Sequence, residues 1–218
     1  MSISLERISQ IPLFATLAEE DIKRVAAITR ERRYERDDLI LLEGEPGGGL
    51  HYLDSGLVKV FKTSLKGKEQ VLRLITPGHT FNDVPAIDGG PNPASAAAVE
   101  LSTIYIIKHG DLRELLRTRP QVAEAVMDTM ASALRHLVAL VEDLSLRHVT
   151  ARVAKLLLEQ PLDSPRRFTQ QEMAALVGTA REVVGRALKD LEAAGAIEIH
   201  RGIPVVTDQQ RLTLLAQG

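Results

Sequence analysis

The chain has 218 residues, of which 44% are hydrophobic and 26% are charged, and its formal net charge is −2. This composition is typical of a globular protein with one large or two modest domains. The absence of cysteine excludes disulfides and cysteine-ligated iron–sulfur or zinc sites, and it fits a reducing cytosol. Because the sequence has no apolar run near the length of a membrane span and no apolar signal region, we expect neither a membrane segment nor a signal peptide.

The first half of the chain changes from a helical to a β pattern. Residues 5–33 have helical periodicity, interrupted at Pro12. From Tyr34 onward, apolar residues recur at every second position, as in a β-strand. Short β-rich runs separated by glycine turns then continue as far as Lys108. Their regular spacing predicts a small antiparallel barrel or roll.

A long helix of about 27 residues is predicted from near Pro120 to near His148. Its apolar residues step by threes and fours, which is typical of a helix that packs along a partner helix. We expect a parallel homodimer, although the same pattern would suit a helix packed on its own barrel. The predicted dimer stripe contains Val126, Met130, Ala133, Leu137, Val141 and Leu144.

The region from Val149 onward predicts a winged helix-turn-helix. Residues 169–172 and 179–182 are two capping-box patterns, and Gly178 lies between them. Helix, glycine turn and helix are followed by two β-rich runs around Arg201-Gly202, as in a wing hairpin. This region has nine Lys and Arg against eight Asp and Glu. Any DNA binding must therefore come from a local basic surface and from the pairing of two copies.

The helix predicted over residues 179–194 has two different faces. One face has apolar residues at helical spacing, fit for burial: Val184, Ala187, Leu188 and Leu191. The other face is charged and has a gap without a side chain at Gly185, which suits a helix in the DNA major groove. The predicted DNA-contacting residues are Thr169, Gln170, Thr179, Arg181, Glu182, Gly185, Arg186, Lys189 and Arg201.

The chain resembles, nearly end to end, the CRP/FNR family of bacterial regulators, which includes the cyclic-AMP receptor protein and the fumarate–nitrate reduction regulator. The segments IPLF and LILLEGEPGGGLHYLDSGLVKVF resemble its β-roll, and REVVGR at residues 181–186 is close to the receptor protein's recognition segment. The resemblance implies an α+β protein with a cyclic-nucleotide-binding-type β-roll (jelly-roll-like), a dimerisation helix and a winged helix-turn-helix. The predicted domains are residues 1–118, 119–148 and 149–218.

By this resemblance, Arg181 and Arg186 donate to guanine edges and Glu182 accepts from a cytosine amino group. Base-edge chemistry predicts the same pairings, each with about 1–3 kcal/mol of discrimination. Gly185 stands where the oxygen-sensing branch tends to carry Ser, so we expect a palindrome with TGTGA-like half-sites. Glu182 would also complete the capping box that begins at Thr179.

The predicted function is therefore that of a dimeric, cytoplasmic transcription regulator that binds double-stranded DNA and is not an enzyme. By resemblance, the loop at residues 160–168, with Arg166 and Arg167, contacts RNA polymerase. A ligand-binding module that acts on a protein partner without DNA is the alternative from another class. An enzyme is less favoured, because Asp83 and Asp88 near His79 have no accompanying nucleophile or phosphate motif.

The effector pocket departs from the family pattern. Cyclic-nucleotide binders of the family have Gly-Glu after Phe and, further along, an Arg that neutralises the cyclic phosphate. Here Asn82-Asp83 replaces Gly-Glu, the Arg position falls at Pro93 or a neighbour, and no Lys or Arg lies between Leu74 and Ile107. We therefore expect an effector other than a cyclic nucleotide. The predicted pocket residues are Phe81, Asn82, Asp83, Pro93, Ala94, Ser95, Met130 and Leu134.

The sequence leaves the identity of the effector open. Haem is an alternative, with His79 after Pro77-Gly78 as the candidate axial ligand, although a histidine in a turn more often only forms hydrogen bonds. An iron–sulfur cluster is excluded by the absence of cysteine. The target genes and the choice between activation and repression are open as well.

Overall fold

The computed structural model describes residues 3–160 and 167–217. The chain forms two compact units: residues up to Lys62 with Leu72–His136, and Thr63–Val71 with the residues from Leu137 onward. In the described ranges, no helix is both long and apolar enough to cross a membrane. The three-domain division at residues 118 and 148 stays a prediction.

The first unit begins with α1 (Leu5–Ser9), a 3-10 turn (Pro12–Phe14), α2 (Glu19–Ile28) and β1 (Thr29–Tyr34). The helical prediction for residues 29–33 is wrong. This segment pairs antiparallel with the strand Ser102–Ile107 along its whole length, from Thr29 opposite Ile107 to Tyr34 opposite Ser102. Pairing with a neighbouring strand satisfies its backbone groups and overrides the local helical pattern.

Two four-stranded sheets form the roll. After β1, their strands are β2 (Leu39–Leu41), β3 (Leu50–Ser55), β4 (Val58–Thr63), β5 (Glu69–Ile75), β6 (Thr80–Phe81), β7 (Ser95–Ala98) and β8 (Ser102–Ile107). The strand orders are β1-β8-β3-β6 and β2-β7-β4-β5. Apolar side chains from both sheets share one core, which includes Leu53, Val58, Phe81 and Ile104. The connection between β6 and β7 contains the short helix α3 (Asp83–Asp88).

A second core packs helices against the roll. It contains Ile8, Val25 and Leu112 together with Val126, and it joins α1 and α2 to α4 (His109–Thr118) and to the beginning of α5 (Pro120–Leu146). The 27 residues of α5 match the predicted helix. The assignment of Val126 to the dimer stripe is wrong, because the chain's own helices cover it and leave it 5% exposed.

The second unit contains the winged helix-turn-helix. Its elements are α6 (Val149–Glu159), α7 (Gln170–Val177), α8 (Arg181–Ala193), β9 (Ile197–His200), β10 (Ile203–Val206) and α9 (Gln209–Leu215). The predicted apolar stripe of α8 is confirmed, since its four residues are at most 2% exposed. They pack with residues of α6, α7 and α9 in one core. The α+β fold class with a β-roll, a long helix and a winged helix-turn-helix is confirmed.

Candidate DNA-recognition surface and effector loop

A complete capping box fixes the beginning of α7, as the sequence predicts. The Thr169 hydroxyl oxygen accepts a hydrogen bond of 3.2 Å from the backbone N–H of Glu172. The Glu172 carboxylate accepts one of 2.7 Å from the backbone N–H of Thr169. Both backbone donors at this helix end are therefore satisfied within the chain.

The second predicted capping box, at residues 179–182, does not form. Thr179 belongs to the turn that ends α7, because its N–H donates to the carbonyl oxygen of Ala174 at 2.9 Å. The N-cap of α8 is Ala180, and among the described residues no side chain caps this helix. Glu182 therefore has no capping role and keeps its carboxylate available for other contacts.

The polar face of α8 is exposed to solvent. Within the described part of the chain, four of its charged side chains form no ion pair with one another or with a neighbour: Arg181, Glu182, Arg186 and Lys189. Since the opposite face of α8 is fully buried, the core holds these side chains outward from a fixed backbone. This is the arrangement that recognition of base edges requires.

Gly185 leaves a space without a side chain on this face of α8. Its backbone does not have a positive φ, so a side chain here is not excluded by backbone strain. A β-carbon would lie 3.4 Å from Oε1 of Gln170, on the first turn of α7. The structure thus brings Gln170 beside the face of α8. We call these residues the recognition surface: Gln170, Arg181, Glu182, Gly185, Arg186 and Lys189.

The wing is a tight hairpin, as predicted. Ile203 pairs with His200, and the two turn residues Arg201 and Gly202 have φ of 52° and 83°. Positive φ at both central positions is typical of a two-residue hairpin turn, and it explains the glycine. Arg201 is exposed at the tip of the wing, where a cation can contact phosphate.

The exposed face of α5 carries large apolar side chains at regular spacing. Their positions alternate in steps of three and four, which is the spacing of a coiled-coil seam. We call these residues the exposed stripe: Met127, Met130, Leu134, Leu137, Val141 and Leu144. Two predicted pocket residues, Met130 and Leu134, thus lie in the stripe, and they are 37% and 63% exposed. Ala133 is half-buried and adjoins it.

The effector loop, residues 81–95, begins with a strained residue. Asn82 has φ of 62°, in the left-handed region, and its side-chain amide donates to the carbonyl oxygen of Gly49 at 3.1 Å. Asp83 follows, and its carboxylate accepts a hydrogen bond of 2.7 Å from the Thr80 hydroxyl. Burial raises the pKa of Asp83, although the Thr80 hydrogen bond and the positive charge of Arg73 oppose this shift.

The end of the loop is held by groups from distant segments. Asn92 is 4% exposed, and its side-chain amide donates to the carbonyl oxygen of Leu42 at 3.0 Å. Its Oδ1 atom is buried and has no hydrogen-bond partner among the described residues. Lys62, on β4, donates to the carbonyl oxygen of Pro93 at 3.1 Å and forms an ion pair with Glu43. Pro93 itself is exposed, whereas Ala94 and Ser95 are buried.

Two cations of this region were not predicted, because they lie outside the segment between Leu74 and Ile107. Lys62 and Arg73 reach the loop from β4 and β5. Lys62 lies on the same side of its strand as the core residues Val58 and Val60, as the alternation along β4 would have indicated.

Two histidines of the roll have different surroundings. His51 is 3% exposed, its Nδ1 lies 3.0 Å from the carbonyl oxygen of Gly49, and its ring centroid lies 5.1 Å from that of Phe81. Burial lowers the pKa of His51 from 6.5 to about 4, against the opposing effect of the Gly49 hydrogen bond. His79 is exposed, with Nδ1 3.2 Å from Oγ1 of Thr76. This favours the hydrogen-bonding interpretation of His79 over a haem ligand.

The chain matches two families in sequence. Residues 31–119 match the cyclic nucleotide-binding domain, and residues 151–215 match the Crp-like helix-turn-helix domain. The cyclic AMP receptor protein of Thermus thermophilus is 33% identical over 210 residues, which cover 95% of this chain and 97% of that protein. The CRP-like cAMP-activated global transcriptional regulator of Mycobacterium tuberculosis is 30% identical over 206 residues, covering 88% and 92%.

A solved structure supports the fold independently. The crystal structure of a CRP/FNR-family regulator from Eubacterium rectale has a TM-score of 0.82 and covers 96% of this chain and 100% of its own, at 20% identity. Together with the sequence matches over both the roll and the helix-turn-helix, this confirms the resemblance drawn from the motifs. The chain belongs to the CRP/FNR family of DNA-binding transcription regulators.

Proposed function

We propose that the protein is a dimeric transcription regulator that binds a palindrome with TGTGA-like half-sites through Arg181, Glu182 and Arg186. One observation carries this proposal: the three side chains are exposed on one face of α8, whose other face is buried in the winged-helix core. Arginine can donate two hydrogen bonds to guanine, and glutamate can accept one from the cytosine amino group. The site of action is the cytoplasm.

The exposed stripe on α5 supports the dimer. Six large apolar residues at coiled-coil spacing stand in solvent on a single chain, which is unfavourable unless another surface covers them. A second copy of the same helix offers a complementary stripe about a two-fold axis. Two-fold symmetry in the protein then matches the symmetry of a palindrome.

The effector is proposed to be something other than a cyclic nucleotide. Lys62, a cation at the end of the loop, is already engaged by Glu43 and by the carbonyl oxygen of Pro93. Asn92, next to Pro93, is fixed to Leu42 and cannot replace the charge of an arginine. A bound cyclic phosphate would therefore find no unpaired cation among these residues at the Pro93 end of the loop.

Binding-site selection tests the DNA half of the proposal. The purified protein is mixed with a random duplex library, and bound duplexes are recovered by mobility shift and sequenced. We expect an enriched palindrome with TGTGA-like half-sites. An enriched single site without symmetry, or no enrichment above random, would contradict the proposal and would favour a module that acts on a protein partner.

Calorimetry tests the effector half. Cyclic AMP and cyclic GMP are titrated into the protein, with Lys62→Ala as the matched variant. We expect no saturable heat with either nucleotide. Saturable binding that is lost in Lys62→Ala would show that Lys62 leaves Glu43 to bind phosphate, and it would overturn the proposal. An absorption spectrum of the same sample tests haem, since a Soret band would establish it.

RNA polymerase is the proposed partner in transcription, through the loop at residues 160–168. Residues 161–166 of this loop, including Arg166, lie outside the described residues. The test is activation in a reconstituted transcription assay by the double variant Arg166→Ala/Arg167→Ala. We expect DNA affinity to be kept and activation to fall, and unchanged activation would remove these two residues from the proposal.

A further inference from the structure

The junction between α5 and α6 is very short. Two residues, Arg147 and His148, connect the end of one helix to the beginning of the next. With so short a connection, the angle between the helices depends on few backbone torsions and on the side chains around them. Four charged side chains surround the junction, and we call them the clamp: Asp143, Arg147, Arg152 and Lys155.

Asp143 is the centre of the clamp, and its side chain is 17% exposed. Its Oδ1 lies 2.9 Å from Nε of Arg147, and its Oδ2 accepts a hydrogen bond of 2.5 Å from Nζ of Lys155. Because Asp143 lies on α5 and Lys155 on α6, one carboxylate joins both helices and their connection. Without its charge, two partly buried cations would lose their common anion.

Arg152 closes the end of α5 from the side of α6. Its Nη1 lies 3.3 Å from each of three carbonyl oxygens, those of Asp143, Leu144 and Arg147. Carbonyls in the last turn of a helix have no intrahelical donor and lie at the negative end of the helix dipole. A cation on α6 therefore stabilises both the end of α5 and the direction in which α6 departs.

Arg147 extends the clamp to the winged-helix core. Its Nη1 donates to the carbonyl oxygen of Ala216, the C-cap residue that follows α9. Ala216 packs in the same core as Val153 of α6 and Leu188 of α8. α6 and α8 therefore belong to one packed body, and the direction of α6 at the clamp determines where α8 stands relative to the end of α5.

We propose that the clamp sets the half-site spacing that the dimer accepts. This inference rests on the proposed function, because a spacing exists only where two copies pair along α5. In a symmetric dimer, turning α6 at the clamp moves both copies of α8. One base pair inserted between the half-sites turns one against the other by about 34–36°. A rigid clamp therefore lowers the affinity for a site of altered spacing, and a loosened clamp lowers it less.

Palindromes of altered spacing test the proposal. The half-sites are kept, and the distance between their centres is changed by one base pair in each direction. Affinity is measured by fluorescence anisotropy for the wild type, for Asp143→Asn and for the control Glu142→Gln. Glu142 is the neighbour of Asp143 and lies 3.5 Å from Arg147, but its side chain is 54% exposed.

We expect Asp143→Asn to reduce the preference for the best spacing over the altered ones by about threefold or more, as for residues in a shared charge network. Glu142→Gln should keep the wild-type preference. Lys155→Gln, which changes a less buried member of the clamp, should act like Asp143→Asn and serves if that variant does not fold. An unchanged spacing preference in the folded clamp variants overturns the proposal, even where all affinities fall together.

A measurement without DNA separates this proposal from the proposed function. Because the chain has no cysteine, spin labels can be placed cleanly with Ser145→Cys and Gln210→Cys, on α5 and α9. Labelled chains are diluted in unlabelled ones, so that the distance between the two labels of one chain is measured. Asp143→Asn should broaden the distribution of this distance. Failure of the wild type to bind any palindrome overturns the proposed function. Palindrome binding with an unchanged distribution and unchanged spacing preference overturns the clamp alone.

Discussion

The recognition surface and the effector loop place their polar groups in opposite ways. On α8, charged side chains stand in solvent, and the buried stripe of the same helix holds them there. In the loop, two asparagines that are buried or half-buried donate hydrogen bonds from their side-chain amides to distant segments. Asn92 is bonded to Leu42, and Asn82 to Gly49. The first surface is built from local sequence, whereas the second depends on contacts between segments far apart in the chain.

This difference determines what each region can do without a ligand. The charged side chains of the recognition surface are already exposed to solvent without a ligand. The loop has already committed its main groups, including Lys62, to contacts within the chain. Any effector that binds there must compete with these contacts, and through that competition it can favour one arrangement of the roll.

The largest effect on DNA binding is expected from a change in the exposed stripe, which in the proposed dimer joins the two copies of the recognition surface. Leu137→Glu places a charge in the exposed stripe, and a buried leucine is worth about 2–5 kcal/mol in each copy. We expect sedimentation to show a monomer, with loss of palindrome binding. Ser132→Glu, on the same helix but outside the stripe, is the control and should stay dimeric. A dimer in Leu137→Glu would show that the stripe is covered in another way.

Arg186→Ala should remove recognition at one base pair of each half-site. The expected loss is about 1–3 kcal/mol per half-site on the preferred palindrome, because one bidentate contact is lost. Affinity for palindromes altered at that base pair should hardly change. Titration on all variants of this base pair measures the difference. Equal weakening on every sequence would mean that Arg186 contacts only phosphate.

Beside the effector loop, the buried His51 predicts that the roll loses stability in acid. His51 has a pKa of about 4 in the folded chain and 6.5 as its ordinary value. Between these pH values the unfolded chain binds a proton that the folded chain does not. The free energy of unfolding should therefore fall as pH drops from 6.5 to 4, by up to about 3 kcal/mol from this group.

Urea titrations across this pH range measure the effect of His51. In His51→Gln the pH dependence should be smaller, whereas His79→Gln, at an exposed histidine, should keep the wild-type dependence. An equal pH dependence in His51→Gln and the wild type would assign the acid sensitivity to other groups.

The smallest effect separates stability from recognition. Gly185→Ala introduces a methyl group near Gln170, at a distance that the chain tolerates. Because glycine is unfavourable inside a helix, we expect the free energy of unfolding to rise by up to about 1 kcal/mol. Affinity for the palindrome should nevertheless fall, since the gap on the recognition surface closes. Thermal melts and anisotropy on the same samples test both, and unchanged affinity would show that DNA does not use the gap.

How far the sequence predicts each region follows from the range of its contacts. The buried stripe of α8, the first capping box and the wing turn are local patterns of a few residues, and they were predictable. The second capping box failed because Thr179 is bound into the turn after α7, a competition that the local pattern does not show. Lys62 and Arg73 were missed because strand pairing, and not sequence distance, brings them to the effector loop.

The uncapped beginning of α8 has a consequence for how binding preference can change. Since Ala180 occupies the N-cap and Glu182 takes no part in capping, residue 182 affects the beginning of this helix mainly through its charge in the first turn. If Glu182 contacts a base as proposed, we expect a substitution there to alter the preferred base pair at little cost in stability. Under the proposed function, the preferred base pair can therefore change through residue 182 alone, without compensating changes in the core.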